Sequence, residues 1–189
     1  MSGTGFHVHG PHDHEVEHAA HGGDSFSSQI AVMTAVFATV GALFGYMAGD
    51  TQNRAALYKN NAAIKKTEAS NQWNYYQSKS SKQNLSELAM ALPGVEVEKY
   101  KAEVERYKKE KNDIKTDAEK LEKASADWDE QAEQQMHLHH RWAQAMTAVQ
   151  IAISLAAIAL LTRKKWLEYG SIGVAGVGGL LAVLAAMHI

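Results

Sequence analysis

Apolar positions in this chain gather into three charge-free runs, separated by one long charged stretch and one short basic one. Gln29–Gly49 (QIAVMTAVFATVGALFGYMAG), Trp142–Thr162 (WAQAMTAVQIAISLAAIALLT) and Tyr169–Ile189 (YGSIGVAGVGGLLAVLAAMHI) contain no Asp, Glu, Lys or Arg. A helix of about 20 residues crosses the roughly 30 Å hydrocarbon core of a bilayer. Three such runs predict three transmembrane helices. Glycines within the third run are tolerated in lipid. The first run has no basic leader and is as long as a true span, which argues against a cleaved signal peptide.

Between the first two runs, Asp50–Arg141 carries 16 Lys and Arg against 16 Asp and Glu. Its second half repeats every seven residues. One position reads Val97, Val104, Lys111, Ala118, Ser125, Ala132, His139, and its partner reads Tyr100, Tyr107, Ile114, Leu121, Trp128, Gln135, Trp142. Such a repeat predicts a helix that packs on another helix. In the first half Leu57, Ile64, Asn71, Ser78, Leu85 and Leu92 recur at the same spacing and are expected at the seam. Leu92-Pro93-Gly94 is the helix-breaking step. It leaves arms of nearly equal length, each about 65 Å as helix, so an antiparallel hairpin is expected. Pairing Leu92 with Val95 makes facing residue numbers sum to about 187, which puts Tyr76 opposite Lys111, Trp73 opposite Ile114 and Asp50 opposite His137.

The predicted class is an all-α membrane protein: three transmembrane helices with a long antiparallel coiled-coil hairpin between the first and second. The expected divisions are a His-rich tail at 1–28, helix 1 at 29–49, the hairpin at 50–141 with its turn at 93–94, helix 2 at 142–162, a basic loop at 163–168 and helix 3 at 169–189.

Thr67–Leu85 (TEASNQWNYYQSKSSKQNL) and Ala159–Tyr169 (ALLTRKKWLEY) resemble a bacterial membrane-protein family, domain of unknown function 4337. The resemblance runs from about Gln29 to the C-terminus and leaves the His-rich leader outside. It implies a bacterial membrane protein with three spans and a coiled insert, and it carries no catalytic residue; the inner membrane is the expected location.

Composition narrows the chemistry. A formal charge of −2 gives no reason to expect nucleic acid, and the absence of cysteine removes disulfides and thiolate metal sites. The chain contains no Gly-rich phosphate loop, nucleophile elbow or H-E-x-x-H, and its spans hold no ionisable acid or base for a relay, so no enzyme is expected. No cofactor is required. His7, His9, His12, His14, His18 and His21 form a candidate zinc, nickel or copper site on the tail. The same histidines carry the tail from about −3 to about +3 on protonation, enough to switch contacts with an anionic membrane surface. A second candidate polar site, at the interface, joins Asp50, His137 and His140.

Two small-residue rows are candidates for helix packing or oligomer contact: Gly41, Gly45 and Gly49 in the first span, and Ala148, Ala152 and Ala156 in the second. Gln144, Thr147, Gln150 and Ser154 are expected to hydrogen-bond between helices. Trp73, Tyr75 and Tyr76 form a candidate surface for an unidentified protein partner. Arg163, Lys164 and Lys165 favour a cytoplasmic tail and loop with a periplasmic hairpin, while Arg54, Lys59, Lys65 and Lys66 favour the reverse; the first orientation is adopted. The sequence reads as an integral membrane protein, a homo-oligomeric scaffold or interaction module that projects a helical hairpin. The alternative is a metal-handling accessory or sensor working through the tail.

Overall fold

The computed structural model describes residues 25–187. They form three helices: α1, Ser25–Met90; α2, Val97–Thr162; and α3, Lys165–Ala186. No strand occurs among the described residues. The chain divides into two compact units, one of residues 25–51 with 137–187, the other Gln52–Met136.

All three helices contain a window apolar enough to cross a membrane, with mean hydropathies of 1.9, 2.0 and 1.8. In the first unit these segments pack through small side chains. Ala48, Trp142, Ala145, Ala182 and Ala185 make one core cluster, joined by Phe44, Leu138 and Leu181. Ile30, Ala156, Ala159 and Leu167 make another, joined by Phe26, Met33 and Leu155. Alanine and glycine are the residues that let helix backbones approach where lipid gives no hydrophobic drive.

The break between α2 and α3 is shorter than the expected 163–168. Only Arg163 and Lys164 lie outside helix, and Trp166–Tyr169 already belong to α3. Arg163 makes the reversal with φ of 56°, a left-handed conformation that costs a side-chain-bearing residue roughly 1–2 kcal/mol. Glu168 lies in the first turn of α3, where the helix dipole favours negative charge.

In the Gln52–Met136 unit, α1 and α2 lie side by side and run in opposite directions. Tyr58 meets Trp128 with ring centres 5.4 Å apart, Ser125 reaches the Ala62 carbonyl, and Ser86 reaches Glu103. Residues 91–96 link the two arms, and Gly94 takes the positive φ of 84° that the reversal needs. The seam differs from expectation on α1. Leu57, Ile64 and Leu85 are exposed, as are Asn71 and Ser78. Buried instead are Ala55, Ala62 and Ala69, a seven-residue series opposite Ala118 and Ala132. Alanine wins because the helices are close enough for the Ser125 hydroxyl to donate to the Ala62 backbone oxygen at 2.8 Å.

Candidate functional site

Beyond Ala69 the next residue in the series is Tyr76, and beyond Ala118 the next is Lys111. Here large polar side chains replace small ones, and a cluster of rings and cations forms. Lys111 Nζ lies 5.0 Å from the Tyr76 ring centre and donates to Gln83 at 3.1 Å. Lys79 Nζ lies 5.1 Å from the Tyr75 ring and 5.6 Å from the Tyr107 ring, while the Arg106 guanidinium sits 4.9 Å from Tyr107. A cation over an aromatic face is attracted by the ring quadrupole.

Lys79 also pairs with Glu110, Nζ to Oε2, at 2.6 Å, with side chains 14% and 35% exposed. Its hydrogen bond holds the Glu110 carboxyl below the ordinary carboxylate value, and the same bond, with help from Tyr75, raises the Lys79 ammonium. Trp73 packs edge-on against Tyr76 at 5.6 Å, and its indole N–H donates to Glu122 at 2.8 Å.

Beside Trp73 opens a groove of about 850 Å³. Ala62, Ala69 and Ser125 line its inner part, with Trp73, Glu122, Lys59 and Asp129 among its walls. Lys59 reaches both Asp129 and Glu133 at 2.7 Å, and those two hydrogen bonds raise the lysine above its ordinary value. Of the proposed partner surface, Tyr75 is exposed and Trp73 and Tyr76 are half-buried.

At the interface, His137 and His140 are exposed, and no three His, Cys, Asp or Glu side chains among the described residues are grouped to hold a metal ion. His139 takes the inward place: its Nδ1 lies 2.9 Å from the Ala48 carbonyl. Only a protonated nitrogen can bond a carbonyl, so the Nδ1–H form is fixed there. The signal for His139 was its place in the α2 repeat. The tail candidates His7, His9, His12, His14, His18 and His21 lie outside the described residues.

The small-residue rows are partly absorbed within one chain. A Cβ on Gly41 would sit 3.3 Å from Val149, and one on Gly45 would sit 3.1 Å from Met146; Gly49 meets nothing within 4 Å. Ala152 and Ala156 are fully buried, and Ala148 approaches α3 at Gly178. Thr147 and Ser154 hydrogen-bond carbonyls of their own helix, and Gln144 and Gln150 are exposed. The buried bond between helices is made instead by Ser171, whose hydroxyl donates to the Ala152 carbonyl at 2.6 Å. A lone serine in a glycine-rich run gave no periodic signal.

No curated protein and no solved structure matches the chain. The model of the family described as "Domain of unknown function (DUF4337)" matches residues 26–188. With nearly the whole described length inside that match, the aromatic cluster and the three apolar helices included, the chain belongs to the DUF4337 family.

Proposed function

We propose that this is a multi-pass protein of the bacterial inner membrane that acts as a homo-oligomeric scaffold, with its hairpin, an antiparallel coiled coil, as the interaction module outside the bilayer. One observation carries the membrane part. Only 11%, 28% and 22% of the residues in the three apolar windows are buried within the protein. Apolar surface left so open is covered by lipid or by other chains. The tail and the basic cluster Arg163, Lys164 and Lys165 are assigned to the cytoplasm and the hairpin to the periplasm. A scaffold rather than a catalytic role is favoured by the hairpin's charges, many of which pair with one another. The exposed Tyr75 and its neighbour Trp73 offer a surface for a protein partner.

Extraction of native membranes with alkaline carbonate tests the first part: recovery in the soluble fraction overturns it. Reporter fusions at Pro93 test the orientation, and activity of a cytoplasm-only reporter there reverses it. Mass photometry in mild detergent tests self-association; a clean monomer removes the scaffold reading. The second reading, a metal-handling protein, rests on the six tail histidines. Stoichiometric zinc, nickel or copper in the purified protein favours it.

A further inference from the structure

The two arms of the Gln52–Met136 unit differ on their outer surfaces. The outward positions of α2 are dense in Lys, Arg, Asp and Glu. On α1, the face turned away from the Ala55–Ala62–Ala69 series is formed by three adjacent seven-residue rows. One row is Leu57, Ile64, Asn71, Ser78 and Leu85. The middle row, three residues on, is Asn60, Thr67, Asn74, Ser81 and Leu88. The third begins at Ala56 and Ala63 and ends at Asn84. Every residue of these rows is exposed, and none is charged. Leu57, Leu85 and Leu88 are each more than 60% exposed. A helix face that stays in water ordinarily carries charge, and depletion of charge marks the centre of an interface.

We propose that this face is where a second copy of the chain packs, α1 against α1, parallel and in register. The inference rests on the homo-oligomeric reading above and supplies its contact surface. Three features select the occupant. First, a row repeating every seven residues over about 45 Å of helix is matched by a partner with the same spacing, and the same row in another copy has it. Copies held in one membrane by the same spans point the same way, so like residues meet. Second, the face carries no charge to complement, and a charged surface such as the outer side of α2 laid against it would bury unpaired ions. Third, the face is polar halfway along its length: Asn71 and Ser78 in the first row, Asn74 and Ser81 in the middle row beside it. Lipid would leave those groups without partners. A copy in register lets Asn71 meet Asn71, the arrangement by which one asparagine fixes the register of a parallel helix pair.

The natural absence of cysteine makes the test direct. Single variants Ile64→Cys and Leu85→Cys place a thiol on the face, and Lys101→Cys and Lys120→Cys place one on the outer side of α2. All four positions are exposed, so the fold is undisturbed. The full-length variants are oxidised in native membranes and separated without reductant, and the cysteine-free chain is sized in mild detergent. The expected result is disulfide-linked dimer at 64 and at 85, several-fold above that at 101 and 120. An oligomeric parent chain with no excess at 64 and 85 overturns the proposed face and leaves the scaffold reading standing. Co-expressed Ile64→Cys and Leu85→Cys that link to each other more than like to like overturn the parallel register. A monomeric parent chain without dimer at any position overturns both readings.

Discussion

Lys111 Nζ stands 5.0 Å from the centre of the Tyr76 ring, at the point where both helices of the Gln52–Met136 unit exchange small seam residues for large ones. From there toward the turn, separation is set by rings, lysines and Gln83 rather than by alanine methyls. Replacing Tyr76 with Ala removes the cation contact, worth about 0.5–1 kcal/mol, and the Trp73 edge contact, worth about 0.5–1.5 kcal/mol. Lys111→Met keeps the apolar stem and loses the smaller share. Thermal unfolding in detergent, followed by circular dichroism, should rank parent, Lys111→Met and Tyr76→Ala in falling stability. Equal midpoints for parent and Tyr76→Ala contradict the ranking.

The alanine series makes the opposite demand. Ala69 and Ala118 are 2% and 0% exposed, and the neighbouring Ala62 carbonyl already accepts from Ser125 across the gap. Ala69→Leu should cost about 1–3 kcal/mol by forcing the helices apart. Ala102→Leu, on the exposed side of α2, should change stability by less than about 0.5 kcal/mol. A leucine tolerated at 69 would mean that the helices are not held at alanine spacing.

The Lys79–Glu110 pair sets a pH window. Glu110 is held below its ordinary 4.5, so its stabilisation is complete above that value and is lost as pH falls through the lowered one. Lys79 is raised above 10.5, so its share persists below that value and fades as pH rises through the raised one. Glu110→Gln should therefore unfold below the parent at neutral pH, with the gap closing on acidification. Unfolding midpoints taken between about pH 3 and pH 7 measure it. A constant gap across that range argues against the ion pair.

The α2 repeat was legible because its seam holds Tyr107, Ile114, Leu121 and Trp128, residues large enough to register as apolar. On its partner, α1, hydropathy and packing point to different residues. Hydropathy ranks Leu57, Ile64 and Leu85 above Ala55, Ala62 and Ala69, but at close helix spacing the seam selects for size. The leucines are left facing outward. The pairing sum of 187 nonetheless matched, because Pro93-Gly94 anchors it: Tyr76 meets Lys111 and Ala62 meets Ser125. Periodicity places His139 on the inward side of α2, but it shows neither the bond of His139 to Ala48 nor that of Ser171 to Ala152, since each ends on a backbone oxygen that is the same for every residue type.

Glycine in α3 offers the sharpest test of the packing among the apolar helices. A Cβ on Gly178 would lie 3.1 Å from the Ala145 carbonyl oxygen, 3.1 Å from Val149 Cγ2 and 3.3 Å from Ala148 Cβ. The first of these is backbone in the middle of a helix and cannot swing aside. Gly176 and Gly173, on the same helix, meet nothing within 4 Å. Replacing glycine with alanine in a helix gains about 0.8–1 kcal/mol of intrinsic preference, and overpacking a tight contact costs about 1–3 kcal/mol. Gly178→Ala should therefore lose about 1 kcal/mol net, whereas Gly176→Ala and Gly173→Ala should hold or gain stability. Gly178→Val, with more bulk against the same oxygen, should fall further. Resistance to unfolding by sodium dodecyl sulfate in mixed micelles gives the order. If all three alanine variants shift together, the sign comes from helix preference alone, and α3 does not pack on Ala145 and Val149 as described.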